Sequence, residues 1–170
     1  YVAKQMSFNN IFITGKYEHQ KNMAKYLGAD FILDYDDPNL HENIYDNTNG
    51  YGVDLSLETV GSYSSQIATL SDAVKFTKKG GNIGVVGGFR VPVEFDFLIP
   101  YMNGQSLIFP ICYNFIDGKH DFEIAIDLFN NDNSDLSKLI TNQYEFIDIE
   151  KAFQHANQSR NEVIKVHLNN

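Results

Sequence analysis

Residues 11–35 read IFITGKYEHQKNMAKYLGADFILDY, an order of elements that few folds accommodate. Two short runs of β-branched and aromatic residues, Ile11 to Thr14 and Phe31 to Leu33, flank a stretch with helical spacing. Met23, Ala24 and Leu27 share one face of that helix, and Gly28 is the residue expected just past its end. Strand, tight turn, helix, glycine stop and strand make one βαβ unit. Open parallel sheets meet ligands at the carboxyl ends of their strands, so a ligand would be selected at the turn Gly15-Lys16-Tyr17.

The alternation continues along the chain. Residues 1–8 are expected to form a short helix stopped by Asn9-Asn10, and Asn39 can cap a helix carrying Leu40 and Ile44. Residues 53–57 read as a third strand. Gly61-Ser62 opens a helix with Tyr63, Ile67, Leu70 and Val74 at i, i+4, i+7 and i+11. Gly80-Gly81 is expected to stop it, with Lys75, Lys78 and Lys79 at the negative end of its dipole. A fourth strand, 82–86, ends at Gly87-Gly88. Residues 91–95 alternate weakly, and Pro100 is expected to break a short helix begun at Phe97. The fifth strand, Ser106 to Ile111, contains Pro110 and so belongs at a sheet edge or end.

Phe122, Ala125, Ile126 and Phe129 then mark an amphipathic helix, followed by a polar loop over 130–134. Residues 139–141 and 144–146 read as two short extended pieces. Asp148 caps a final helix with Ile149, Ala152, Phe153 and Ala156 on one face, and 163–168 is a closing strand. The sum is an α/β chain with a doubly wound parallel sheet, read as one domain over 1–170.

Charge and composition remove several classes of function. A net charge of −9 argues against a nucleic-acid surface, which needs clustered Lys and Arg. The single cysteine, Cys112, excludes an internal disulfide and a multi-cysteine zinc site, and reads as a buried small hydrophobe. No apolar run approaches the roughly 20 residues of a membrane helix, and no signal-peptide pattern opens the chain. A reducing compartment such as the cytoplasm is expected.

No hydrolytic or metal constellation stands out. Ser62, Ser64 and Ser65 lack the G-x-S-x-G elbow, and Ser62 reads as a helix cap. The histidines at 19, 41, 120, 155 and 167 show no i, i+4 pairing and read as surface or turn residues. Asp34, Asp36 and Asp37 read as a solvated turn. The dinucleotide fingerprint G-x-G-x-x-G between strand and helix is absent, and Gly81, Gly84 and Gly87 lie before, within and after a strand instead.

The turn after Thr14 says more. Enzymes that select NAD place Asp or Glu there to hydrogen-bond the ribose hydroxyls. Gly15 occupies that place here, leaving room for a 2′-phosphate, and Lys16 adds a point charge. Tyr17 and Tyr35 could offer flat faces to adenine. The same residues also read as a plain β-turn with a solvated lysine.

Four blocks, AKYLGADFILDY, GVDLSLETVG, FTKKGGNIGVVGG and DLSKLITNQYEFIDIEKAFQHA with VIKVHL, follow one another in a familiar order. In that order the chain resembles the cofactor-binding half of the medium-chain dehydrogenase/reductases, the zinc-type alcohol dehydrogenase and quinone oxidoreductase superfamily. The resemblance implies a Rossmann sheet and an NADP(H)-preferring oxidoreductase, NAD being possible. The reaction would be hydride transfer to or from a small-molecule alcohol, carbonyl or activated alkene.

By position, Gly15, Lys16 and Tyr17 would hold the adenosine ribose and its 2′-phosphate, with Tyr35 beside adenine. Thr59, Val60 and Gly61 would line the middle of the cofactor, and Val86, Gly87 and Gly88 would approach the nicotinamide ribose. Pro110 and Ile111 would face the carboxamide, and Lys165 the pyrophosphate. The strand from Ser106 to Ile111 would join two copies as a homodimer.

The family's catalytic domain is absent from these residues, so no catalytic residue is assigned, and zinc would come only with ligands from that domain. The first Rossmann strand and its glycine turn are absent too, which leaves a gap between the strands at 11–14 and 53–57. The chain is therefore expected to be part of a longer polypeptide or to be completed by a further segment. A non-catalytic nucleotide-binding or dimerisation module is the alternative.

Overall fold

The computed structural model describes residues 1–61, 66–89, 91–130 and 136–170. The expected helix start at Ser62 and Tyr63, and the loop at 131–134, fall outside them. The chain forms two compact units, one from Tyr1–Asp37 with Ala125–Asn170 and the other from Pro38–Ile124.

The first unit opens with α1 (Val2–Gln5), β1 (Phe12–Gly15), α2 (Glu18–Tyr26) and β2 (Phe31–Asp34). β1 and β2 pair in parallel from Phe12↔Phe31 to Gly15↔Asp34, and the two phenylalanine rings stack with centroids 4.4 Å apart. Gly28 sits in the left-handed region at φ +94°, where the Ala29 N–H reaches back to the Ala24 carbonyl at 3.0 Å. That is the glycine stop expected of α2. α1 is shorter than expected: Ser7 and Asn10 take left-handed backbone at φ 62° and 55°, and neither continues a helix. Asp30 closes the loop by pairing with Lys4 at 2.8 Å and accepting the Ile11 N–H at 2.8 Å.

The second unit contains α3 (Leu40–Asp46), β3 (Val53–Glu58), α4 (Gln66–Phe76), β4 (Thr77–Val85), α5 (Leu98–Met102) and β5 (Ser106–Ile108). Asn39 stands at the cap position of α3 without a capping side-chain bond, while Leu40 and Ile44 are buried as expected. The strands run parallel in the order β3-β4-β5. Leu70, Ala73 and Val74 of α4 pack on Ile83 and Val85 of β4, with Phe89, Phe95 and Leu107 against the cluster.

The end of α4 differs from the sequence expectation. The helix stops at Phe76, and Lys78 and Lys79 lie in β4, where Lys78 pairs with Asp54. The Thr77 hydroxyl donates to the Ala73 carbonyl at 2.7 Å, and the Gln105 amide donates to the carbonyls of Val74 at 3.0 Å and Thr77 at 2.7 Å. A glutamine thus satisfies carbonyls at the end where the lysines were expected to gather. Gly52, at φ +87°, is pressed so close to the Phe76 carbonyl that a Cβ would lie 2.4 Å from it. The extra residues form an irregularity in β4 between the pairs Val53↔Thr77 and Leu55↔Asn82, with Gly80 at φ +70°.

Prolines and turns account for the other differences. Pro100 sits inside α5 rather than ending it, because its third-residue position needs no intrahelical N–H. β5 ends at Ile108, before Pro110, and is the edge strand that Pro110 predicts. Residues 91–97 form no strand. A hairpin of β6 (Phe115–Ile116) and β7 (Lys119–His120), not expected, turns on Asp117-Gly118 with φ 51° and 81°, the residue pair that two-residue hairpins favour.

α6 (Asp121–Asn130) forms where its periodicity requires, but none of its residues is buried. Phe122, Ile126 and Phe129, the expected amphipathic stripe, all stay more than half exposed. The first unit, which resumes within α6 at Ala125, goes on to a 3₁₀ turn at Leu136–Leu139, β8 (Ile140–Glu145), a second 3₁₀ turn at Phe146–Asp148, α7 (Ile149–Gln158) and β9 (Lys165–Asn169). The two expected extended pieces are one strand: β8 alternates half-buried and exposed residues along its whole length and pairs in parallel with β9. On α7, Ala152 is buried but Phe153 is 68% exposed. Tyr144 of β8 and His155 of α7 tie the two elements through a 2.6 Å hydrogen bond.

Candidate cofactor site

In the first unit, Gly15 is the buried last residue of β1, Lys16 is exposed, and Tyr17 caps α2 half-buried. The Tyr35 N–H donates to the Gly15 carbonyl at 3.1 Å, extending the β1–β2 ladder one step. Gly15, Lys16, Tyr17 and Tyr35 are thus brought together. Lys165 is exposed in β9, which pairs with β8 rather than with β1. Tyr17 stacks on His19 with centroids 5.8 Å apart, and both ring nitrogens of His19 are buried without a partner among the described residues.

The space above Gly15 belongs to Lys21. A Cβ on Gly15 would lie 2.8 Å from the Lys21 Cγ, so a side chain there would force this stem to shift. The Lys21 ammonium then reaches the Asp34 carboxylate at 2.9 Å and also pairs with Glu18. Its hydrogen bonds to Glu18 and Asp34 hold the ammonium above its ordinary value. The same bond from Lys21, with the Asp36 N–H, holds the Asp34 carboxyl below its ordinary value. Both groups are therefore charged at neutral pH.

In the second unit the candidate residues follow the carboxyl ends of parallel strands, as ligand-binding loops do in open α/β sheets. Thr59, Val60 and Gly61 follow β3, and Val86, Gly87 and Gly88 follow β4. The N–H groups of Val86 and Gly87 donate to the Glu58 carbonyl at 2.8 and 3.0 Å. Gly61, at φ +59°, lies against the other loop, where a Cβ would stand 3.4 Å from both the Gly87 Cα and the Gly88 N. The loops are thus joined backbone to backbone. Val60 and Val86 remain about half exposed, at 51% and 53%, and the space beside Gly88 is open. Pro110 and Ile111 follow β5 and are exposed, with the Ile111 carbonyl accepting from Asn114 at 3.2 Å.

Glu58, which sequence reasoning passed over, anchors this loop pair. Only 3% exposed, its carboxylate accepts the Val60 N–H at 2.8 Å and the Thr69 hydroxyl at 2.9 Å. The signal available was an acid ending an apolar strand just before the Thr59-Val60-Gly61 loop. For Lys21 it was the i, i+3 spacing from Glu18.

Open, glycine-bordered loops at strand ends suit an extended nucleotide cofactor. A metal centre is not apparent: no cluster of His, Cys, Asp and Glu among the described residues could hold an ion. Cys112 is exposed rather than buried, because it lies on the uncovered segment after β5. Among the described residues, no helix is long and apolar enough to cross a membrane.

Residues 1–131 match the model of the zinc-binding dehydrogenases. The chain belongs to that family. It is 25% identical over 151 residues to an alcohol dehydrogenase of Cupriavidus necator, covering 88% of this chain and 39% of that protein. A sorbitol dehydrogenase of Bacillus subtilis is 26% identical over 164 residues, covering 96% of this chain and 44% of that protein. An oxidoreductase/dehydrogenase of unknown specificity from Escherichia coli superposes with a TM-score of 0.83 at 20% identity, over 98% of this chain and 46% of that one.

The chain thus spans about two-fifths of the curated relatives it matches. It represents the cofactor-binding half of a zinc-binding dehydrogenase, with the α/β fold and parallel strands that half requires.

Proposed function

We propose that this chain is the cofactor-binding part of an NADP(H)-preferring oxidoreductase that transfers hydride to or from a small alcohol, carbonyl or activated alkene. The nicotinamide ring carries the hydride when bound; the protein supplies binding and orientation. In the first unit, Gly15–Tyr17 with Tyr35 would take the adenosine ribose of the cofactor. One observation carries the preference for NADP(H): β1 ends in a glycine followed by an exposed lysine that forms no ion pair among the described residues. A carboxylate at that place would repel a 2′-phosphate, whereas a lysine attracts it.

Fluorescence titration of the full protein with NADPH and NADH tests the reading. NADPH is expected to bind more tightly, and Lys16→Ala to weaken NADPH binding by up to about fivefold, in line with one solvated charge contact. Equal binding of the two cofactors, or no effect of Lys16→Ala, would overturn it. The uncovered edge of β5 is proposed as the seam through which two copies extend one sheet into the next.

A further inference from the structure

We propose that Lys21 sets the cofactor preference of this turn by masking Asp34, an inference that rests on the reading of Gly15–Tyr17 as the ribose site. Asp34 is the cross-strand partner of Gly15, so its carboxylate stands at the same end of the β1–β2 ladder as the turn. Gly15 removes the acid from one strand, but Asp34 supplies one on the next. Left free, that carboxylate would accept a ribose hydroxyl and repel a 2′-phosphate, undoing what Gly15 permits.

In the structure it is not free. One oxygen takes the Asp36 N–H at 3.1 Å and the other the Lys21 ammonium at 2.9 Å. Glu18, the other acid at the turn, is paired with the same ammonium. Lys21 reaches both because its stem crosses directly over Gly15, where any side chain would collide with its Cγ. The glycine and the lysine are therefore one device: the missing side chain opens the lane through which the masking cation passes. The Lys21 side chain is only 16% exposed, and its pairs with Glu18 and Asp34 hold the ammonium in this place. Lys16 is left available for the ligand.

The test compares NADPH and NADH binding in the full protein for the wild type, Lys21→Met, Asp34→Asn and Lys21→Met/Asp34→Asn. Methionine keeps the stem over Gly15 and removes the charge. The preference for NADPH is expected to fall about tenfold in Lys21→Met, the scale of one uncompensated charge a few ångströms from a dianionic phosphate in water. The double variant should recover most of that loss. Asp34→Asn alone, which leaves the turn more positive, should keep or widen the preference. A wild type that binds neither cofactor, or binds NADPH no tighter than NADH, overturns the reading of the site and this inference with it. A wild type that prefers NADPH, with a ratio unmoved by Lys21→Met or unrecovered in the double variant, overturns the masking role alone. A narrowed preference in Asp34→Asn does the same.

Discussion

Glu58 and Lys21 show how single charged side chains shape a site without being its obvious members. Glu58 is buried and acts through hydrogen bonds, holding the Val60 N–H and the Thr69 hydroxyl. Glu58→Ala would leave both donors without their acceptor, a loss of about 1–3 kcal/mol for a buried polar group. Denaturant unfolding should show that loss, and amide exchange at Val60 and Gly61 should speed up. Glu58→Gln retains an acceptor and should retain most of the protection, whereas equal exchange in both variants would remove Glu58 from this role. Neither residue is conspicuous in the sequence, because an acid after a strand or a lysine in a helix is ordinarily solvated. What distinguishes them is the partner, and in each case part of that partner comes from another element.

Among the elements, the β1–β2 pair is pinned by two carboxylates whose affinity for protons is lowered, Asp30 by Lys4 and the Ile11 N–H, Asp34 by Lys21 and the Asp36 N–H. A depressed carboxyl contributes stability that is present above its unfolded value, here near 3.8, and lost as pH falls through the folded value beneath it. Lys21 is shifted the other way, so its share is present below 10.5 and lost only as pH rises beyond that. The thermal midpoint should therefore owe no pH dependence to these pairs between about pH 5 and 8. Below 3.8 the wild type should lose stability more steeply than Asp30→Asn/Asp34→Asn, which has nothing left there to protonate. Parallel curves would show that the pairs are too solvated to matter.

The same elements show why periodicity was a sound guide to helices and a poor one to their ends. α2 and its glycine stop were legible because both depend on neighbours in sequence. The end of α4 was not, because Gly80-Gly81 reads as a stop only until Gly52 and Gln105, distant in sequence, close on the helix at Phe76. Phe122, Ile126 and Phe129 made the converse case: the stripe is helical, but helical spacing does not say what covers it.

For the molecule as a whole, the open edge of β5 carries a prediction about assembly. Ile108 is 48% exposed on the edge strand of β3-β4-β5. If two copies join there, sedimentation of the full protein should give a dimer, and Ile108→Lys should shift it toward monomer, since an edge lysine opposes strand pairing. A wild-type monomer would exclude this seam.

The α/β class, the parallel strands and the places of Gly15, Gly61 and Gly87-Gly88 at or just past strand ends were all present in the sequence. They follow from short-range rules: alternation of elements, glycine where a chain turns or backbones meet, an acid absent from one position. Tertiary structure decided the rest. It brought Gly61 against Gly87-Gly88, turned Glu58 inward to hold the loop, and ran Lys21 over Gly15 to Asp34. Each of these depends on which strand lies beside which, and so on pairings that no local pattern encodes. Gly15 therefore takes its meaning from two levels: the missing side chain is written in the chain, and what fills its place is settled by the fold.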